Sequence, residues 1–243
     1  MTDPTPLAGE HRMEFDWLIA LAWLSLALAF ACASVIIADI LIGKHRQHMW
    51  VMELVWPITA LYAGPLALWF YWRYGRPMST KWQQDRGLAG PPNKPRWATV
   101  SVGVSHCGAG CTLGDIIAAT LVFLVGVEIA GRALWPELIG GYVLALILGL
   151  AFQYFAIAPM RDLGVRDGML AAIKADVLSL TAFEIGLFGW MVFQALVLVP
   201  AGDALHPNSP VYWLGMQVGM CLGFATAYPV NSWLIRRGIK EAM

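Results

Sequence analysis

Residues 105 to 115, with the sequence SHCGAGCTLGD, combine thiol, imidazole and carboxylate groups in one short stretch. If a helix begins near this point, Cys107, Cys111 and Asp115 are spaced i, i+4 and i+8 and share one helical face, with His106 beside them at the helix start. Thiolate and imidazole ligands suit soft or borderline ions such as Cu(I) and Zn(II). A helix N-terminus would also favour the thiolate form of Cys107. The stretch therefore predicts a metal or redox site.

Two other interpretations of this stretch are open. A disulfide between Cys107 and Cys111 fits poorly, because i, i+4 positions on a helix do not match disulfide geometry and cytoplasmic thiols stay reduced. The second interpretation is packing alone, since Gly108, Gly110 and Gly114 would let another helix approach closely. An adjacent His and Cys are not needed for packing, and this favours the metal or redox role.

A second group of potential ligands lies in GKHRQHMWVME, at residues 43 to 53. Thioether and imidazole side chains together again suit Cu(I), although Met residues also fill gaps in protein cores. The predicted ligands in this segment are His45, His48, Met49 and Met52.

Five carboxylates lie within or beside apolar segments, where an unpaired charge is costly. Each is therefore a candidate for an ion path, although Asp39 and Glu53 lie near enough to the membrane surface to reach water. Met216 and Met220 flank a run of small residues in the last apolar segment, where they could line a path or simply pack. The acidic candidates are Asp39, Glu53, Asp115, Glu128 and Glu184.

The composition of the chain places these residues in a membrane protein. Of its 243 residues, 58% are hydrophobic and only 13% are charged, with 16 basic and 16 acidic side chains that cancel. A soluble domain carries about 25% charged residues, and a nucleic-acid-binding protein would show a basic excess. We therefore expect an all-α integral membrane protein in a lipid bilayer, with no nucleic-acid partner.

Six apolar segments are each long enough to span a bilayer. They predict a six-helix transmembrane bundle that forms a single membrane domain over residues 1–243. The polar segment 73–96 is predicted to be a cytoplasmic connector. Residues 160–176 combine helical apolar spacing with charges, and fit either a short interfacial helix or a solvated connector. The predicted helices cover residues 17–42, 50–72, 107–130, 139–159, 177–200 and 211–235.

The Lys and Arg residues predict an orientation through the positive-inside rule. With six crossings and both termini cytoplasmic, 13 of the 16 basic residues lie inside, against Lys44, Arg46 and Arg132 outside. Asp115 and Glu184 then lie in the inner half of the membrane, and the other three acidic candidates lie toward the outer face. We expect a multi-pass protein of the bacterial inner membrane.

Four stretches of the chain resemble a bacterial membrane family known as domain of unknown function 4396. Some relatives in that family carry copper-related labels, and this agrees with the ligand chemistry above. The resemblance itself implies no particular activity. The four stretches are VWPITALYAGPLALWFYWRYGR (55–76), SHCGAGCTLGD (105–115), IKADVLSLTAFEIG (173–186) and NSWLIRRGIKEAM (231–243).

The leading hypothesis is a protein that binds a soft metal cation and moves it across the membrane. Cu(I) is the first choice of ion and zinc the second. The ion would be collected by the His and Met residues of 43–53 and exchanged with Cys107 and Cys111. A channel or carrier is favoured over a pump, because the sequence has no phosphate-binding loop. A metallochaperone is a candidate partner.

Two alternatives belong to other classes. One is a membrane thiol redox protein that uses Cys107 and Cys111, although these residues lack CxxC spacing. The other is an accessory or scaffold subunit of a larger membrane complex, in which case other subunits would be its partners. The sequence favours a protein that is not an enzyme, and it leaves oligomerisation open. Haem is not favoured as a cofactor, since no pair of His residues lies inside the apolar segments.

Overall fold

The computed structural model describes residues 7–161, 164–198 and 205–240, with side chains described within 17–156, 164–198 and 205–240. Every regular element in these ranges is a helix, and six of the helices are long and apolar enough to span a membrane. The prediction of an all-α multi-pass membrane protein is thereby confirmed. The helices are α1 (Leu7–Leu41), α2 (Met52–Phe70), α3 (Thr80–Gln84), α4 (Arg96–Val125), α5 (Leu134–Arg161), α6 (Val165–Phe193) and α7 (Pro210–Arg236).

Three helices, α1, α4 and α6, begin well before their predicted starts, and α1 does so at Leu7. Helix α4 begins at Arg96, about three turns before Cys107. Its first turns are rich in small residues, which a hydropathy window scores low but which the neighbouring helices bury. Residues 165–176 form the first turns of α6 and not a separate interfacial helix.

Helix α2 reverses direction in its middle. Gly64 has φ 50° and ψ −125°, a conformation open to glycine, and Pro65 follows it. Beyond this break the chain continues through a π-helical turn and a 3₁₀ turn to Met78. The rings of Trp56 and Tyr71 are 5.7 Å apart, whereas in a straight α-helix the two residues would be separated by about 22 Å. Residues 52–78 therefore form a helical hairpin, called here the α2 hairpin.

The base of the α2 hairpin is fastened to the end of α1. Asp39 accepts hydrogen bonds from the Tyr71 hydroxyl at 2.8 Å and from Arg76 Nε at 3.0 Å. Gln47 and Ser79 pair as an isolated β-bridge. The hairpin thus enters and leaves at the same end of α1. The prediction that both termini share one side assumed a single crossing by this segment.

The tip of the α2 hairpin is tied to α1 and α7 by one glutamine. Pro65 has no N–H to donate to the Leu61 carbonyl, and Gln217 of α7 donates to that carbonyl at 2.8 Å. The Ser25 hydroxyl of α1 in turn donates to Gln217 Oε1 at 2.6 Å. The bond from Gln217 gives the Leu61 carbonyl the partner that it lacks because the helix is broken. In a membrane, where water cannot supply the hydrogen bond, such a partner is needed.

Helices α4 to α7 pack in antiparallel pairs through small residues. A Cβ atom at Gly110 of α4 would lie 2.6 Å from Gly149 Cα of α5, and one at Gly223 of α7 would lie 2.7 Å from the Phe183 carbonyl oxygen of α6. Gly219 lies against Leu187 in the same seam. The glycine run predicted in the last helix is therefore a packing face toward α6.

The two ends of the bundle differ strongly in charge. Helices α4 and α6 begin, and α1, α5 and α7 end, at the end that holds the base of the α2 hairpin. The ring contacts of Tyr74 with Trp97 (5.2 Å) and of Trp50 with Phe155 (5.4 Å) fix this arrangement. Of the 16 Lys and Arg residues, all but Arg12 and Arg132 lie in segments at this end. We call it the basic end and the other the opposite end.

A substitution at Gly75 tests the closure of the hairpin. A Cβ atom there would lie 2.6 Å from Trp56 Cε2 and 2.7 Å from Tyr71 Cδ2. We expect Gly75→Ala to lower the free energy of unfolding by about 1–3 kcal/mol through overpacking, measured by denaturation in mild detergent. Gly90→Ala, where nothing lies within 4 Å of the added Cβ, is the matched control. Equal stability of the two variants would contradict the hairpin.

Candidate cation path

The predicted face of α4 lies at the centre of the bundle. Cys107, Cys111 and Asp115 are buried, and so is His106. They lie in the middle of α4, not at its start, so the predicted effect of the helix N-terminus on the Cys107 thiol does not reach it. Cys107 and Cys111 are both free thiols, so the structure contains no disulfide between them.

Cys107 belongs to a hydrogen-bonded group that spans three helices near the basic end. Its Sγ lies 2.9 Å from the Ser179 hydroxyl of α6. Asn231 of α7 donates to the same hydroxyl at 2.6 Å. Lys240 Nζ lies 3.5 Å from Ser179 and donates to Asp176 Oδ1 at 3.0 Å. Ser179 therefore links the thiol to a charged pair.

The pair of Lys240 and Asp176 has no exposed side-chain surface. Burial by itself would lower the pKa of Lys240, but the adjacent Asp176 carboxylate raises that pKa above its ordinary value. Lys240 follows the end of α7 and reaches back into the bundle. The pair therefore closes the basic end of the polar interior with an ionised contact.

A second polar group lies one helical turn further along α4. Glu184 of α6 faces Cys111 and Asp115. The exposed fraction is 4% for Asp115 and 1% for Glu184. Asp115 Oδ2 and both Glu184 carboxylate oxygens have no well-aligned hydrogen-bond partner among the described residues, although the Cys111 thiol lies within reach of Glu184. Buried carboxylate oxygens with so few donors are costly, and this makes the two carboxylates candidates for interaction with a cation.

Two further contacts extend the polar interior toward the opposite end. The Tyr212 hydroxyl of α7 donates to Glu137 Oε2 of α5 at 2.9 Å. The Thr112 hydroxyl of α4 donates a hydrogen bond to Met220 Sδ of α7 at 3.7 Å. Met216 and Met220 are both buried in one apolar cluster. We call the whole set the polar column. It comprises Lys240, Asp176, Ser179, Asn231, Cys107, Cys111, Glu184, Asp115, Glu137 and Tyr212.

The His and Met residues predicted as a second ligand group lie in different surroundings. His45 Nδ1 lies 3.1 Å from Asp39 Oδ1 without hydrogen-bond alignment, whereas His48 is exposed. Met52 is buried in the apolar cluster between α1 and the α2 hairpin, and Met49 packs against that cluster. His45, Met49 and Met52 thus pack at the base of the hairpin, whereas His48 lies at the surface.

Three of the predicted path carboxylates also lie away from the polar column. Asp39 is held by Tyr71 and Arg76 at the base of the hairpin. Glu53 pairs with Arg46 at 2.9 Å. Glu128 is exposed in the turn that follows α4. Within the described residues, no three His, Cys, Asp or Glu side chains are grouped closely enough to hold a metal ion.

Several residues of the polar column were not identified from the sequence as site residues. Ser179, Asn231 and Lys240 are single polar residues whose significance depends on the register between α4, α6 and α7. Glu137 and Tyr212 come from the ends of two different helices. The available signal was a polar residue inside an apolar segment, which applies to Asn231.

A family model described as a domain of unknown function, DUF4396, matches residues 96–240. The matched range begins with α4 and contains every residue of the polar column. It leaves out α1 and the α2 hairpin, including the stretch 55–76 that contributed to the resemblance seen in the sequence. No curated protein and no solved structure matches the chain.

Proposed function

We propose that this chain, which belongs to the DUF4396 family, binds a soft metal cation and carries it across the membrane along the polar column. The observation that carries the proposal is the pair of buried carboxylates, Asp115 and Glu184, beside Cys111. Asp115 Oδ2 and both Glu184 oxygens have no well-aligned donor among the described residues, although the Cys111 thiol lies within reach of Glu184. The three side chains do not form a preformed three-ligand site among the described residues, so the ion would be held by one or two of them at a time. Ionisable groups inside a membrane bundle are retained where they serve an ion or substrate pathway.

The donor atoms favour a soft cation, with Cu(I) ahead of zinc. Two thiols, Cys107 and Cys111, lie on one face of α4, and the Met220 thioether packs against the same helix. Thiolate and thioether ligands select Cu(I), whereas an all-oxygen site would suit Mg²⁺ or Ca²⁺. Of the two ligand groups predicted from the sequence, the proposal keeps the one on α4.

The path has a polar contact at each end. At the basic end it meets the Lys240–Asp176 pair, and near the opposite end it meets Glu137 and Tyr212. A cation would pass from one to the other by way of Cys107 and then Cys111 with Glu184. At each step the cation would exchange one or two ligands. Such binding is strong enough to take up the ion and weak enough to release it to the next site.

The orientation follows from the hairpin and the positive-inside rule. With five continuous crossings, all the Lys and Arg residues except Arg12 and Arg132 lie at the basic end, and this end is cytoplasmic. The C-terminus is then inside, the N-terminus is outside, and the membrane is the bacterial inner membrane. Asp115 and Glu184 lie beyond Cys107 as seen from the cytoplasm.

Copper content measured on purified protein tests the proposed binding. After loading with Cu(I) under reducing conditions and desalting in mild detergent, we expect about one copper per chain. The Cys107→Ser, Cys111→Ser double variant should lose most of it. The Cys32→Ser, Cys221→Ser double variant removes two thiols outside the polar column and should keep it. Equal copper in both double variants would refute the proposal.

A further inference from the structure

The register of α4 against α5 brings His106 and Gln153 together. Gly110 packs on Gly149, and the two helices run antiparallel. His106 lies one turn before Gly110, and Gln153 lies one turn after Gly149, so these two side chains occupy facing positions. The ring of His106 lies 6.4 Å from that of Phe152, the residue beside Gln153.

Asp176 and Asn231 reach the same place from α6 and α7. A Cβ atom at Gly149 would lie 3.4 Å from Asp176 Oδ2, which places this carboxylate on the side of α5 that carries Gln153. Asn231 is bonded to Ser179, which also contacts Lys240, the partner of Asp176. His106, Gln153 and Asp176 thus lie around one buried region between α4, α5 and α6, and Asn231 joins it through Ser179. The region formed by these four side chains is called here the polar chamber.

The polar chamber has an unusual number of polar atoms without protein partners. All four side chains have an exposed fraction of 0%. Both amide atoms of Gln153, Asp176 Oδ2 and Asn231 Oδ1 have no hydrogen-bond partner among the described residues, and the His106 ring, which interacts with the Phe152 backbone, makes no well-aligned hydrogen bond. Buried polar atoms left unpaired are costly, so this set of atoms favours a ligand that both donates and accepts hydrogen bonds.

We infer that the polar chamber binds a small cluster of water molecules. Water matches the mixture of donors and acceptors, since a buried water makes about three hydrogen bonds to groups of this kind. Apart from the neutralised Lys240–Asp176 pair the chamber carries no ionised contact, so a neutral ligand fits it. The inference does not depend on the identity of any transported ion.

Phe183 of α6 lies one helical turn beyond Ser179 and packs between α4 and α7. Its side chain is fully buried and lies against α4 and α7, where a Cβ atom at Gly108 or Gly223 would come within 2.8 Å or 2.9 Å of the ring. Tyr62 of the α2 hairpin packs on the ring at 6.4 Å between centroids. The ring is therefore an apolar neighbour of the polar column between α4 and α7.

Radiolytic hydroxyl-radical footprinting tests the chamber, because radicals formed from bound water oxidise adjacent side chains that bulk solvent cannot reach. We expect His106 in the detergent-purified protein to be oxidised several-fold faster than Tyr71. Tyr71 is fully buried in the apolar cluster of α1 and the α2 hairpin, its hydroxyl is already bonded to Asp39, and its ring is also reactive toward the radical. Oxidation of His106 no faster than that of Tyr71 would overturn the inference.

A substitution locates the water. Gln153→Leu replaces the amide with an apolar group of similar size and should reduce the oxidation of His106 several-fold. Gln84→Leu, in the exposed part of the connector, is the matched control and should leave it unchanged. If His106 remained equally oxidised in Gln153→Leu, the water would lie elsewhere and the chamber as placed here would be wrong. The comparison of His106 with Tyr71 in the unaltered protein does not depend on whether the variant folds.

Discussion

Replacing Asp176 with asparagine should lower the free energy of unfolding by about 3–5 kcal/mol, because it leaves Lys240 buried without its counter-charge. Both side chains of this pair are fully buried, and the two atoms in contact are 3.0 Å apart. The measurement is chemical denaturation of the purified protein in mild detergent. Asp85→Asn is the control, since it removes an exposed partner of Lys81 and should give no measurable change.

A paired substitution separates charge from shape at the same place. Changing Asp176→Leu and Lys240→Met together removes both charges and should restore most of the lost stability, since apolar replacement of a whole buried pair is close to neutral. If Asp176→Asn cost no more than Asp85→Asn, the buried pair would not close the basic end as described.

The same pair sets a pH dependence whose sign follows from the raised pKa of Lys240. A group whose pKa is higher in the folded protein contributes stability that is complete below its unfolded pKa. The contribution is lost as the pH rises through the folded value. The difference in stability between the unaltered protein and Asp176→Asn should therefore persist through neutral pH and decline only under strongly alkaline conditions.

The second large effect is an all-or-none difference in labelling. In a variant without the four native cysteines, we expect His48→Cys and Ala89→Cys to be protected from a membrane-impermeant maleimide in intact cells. Both positions are exposed at the basic end. Glu128→Cys, exposed in the turn after α4, should be labelled and serves as the positive control.

His48 is the position that separates the two topologies. The α2 hairpin places it on the same side as Ala89, because the segment between them enters and leaves at one end. A segment that crossed the membrane once would place the two residues on opposite sides. Labelling of His48→Cys in intact cells, with Ala89→Cys still protected, would contradict the hairpin.

The sequence allows much of the fold to be predicted, because hydropathy over about 20 residues reports which segments lie in lipid. It does not distinguish a crossing from a hairpin, since both are equally apolar. The local signal was Gly64–Pro65, a glycine and proline interruption inside an apolar segment. Its consequence became clear only from the contacts of Trp56 with Tyr71 and of Asp39 with Arg76.

Part of the candidate site could also be predicted from a pattern within one segment. Helical periodicity alone places Cys107, Cys111 and Asp115 on one face, and all three are buried in α4. Periodicity within one helix cannot say which residues of other helices face them. Whether Ser179 and Glu184 face α4 depends on the register of α6. Of the His and Met residues of 43–53, those that are buried pack at the base of the hairpin.

Uptake of Cu(I) into proteoliposomes is the most direct test of the proposed path. Protein reconstituted with a copper indicator inside the vesicles should accumulate the ion, and Cys111→Ser should slow uptake roughly 10–100-fold by removing a ligand. Cys221→Ser, a thiol outside the polar column, should transport at the rate of the unaltered protein. If Cys111→Ser and Glu184→Gln both transported at that rate, the polar column would not be the route of the cation.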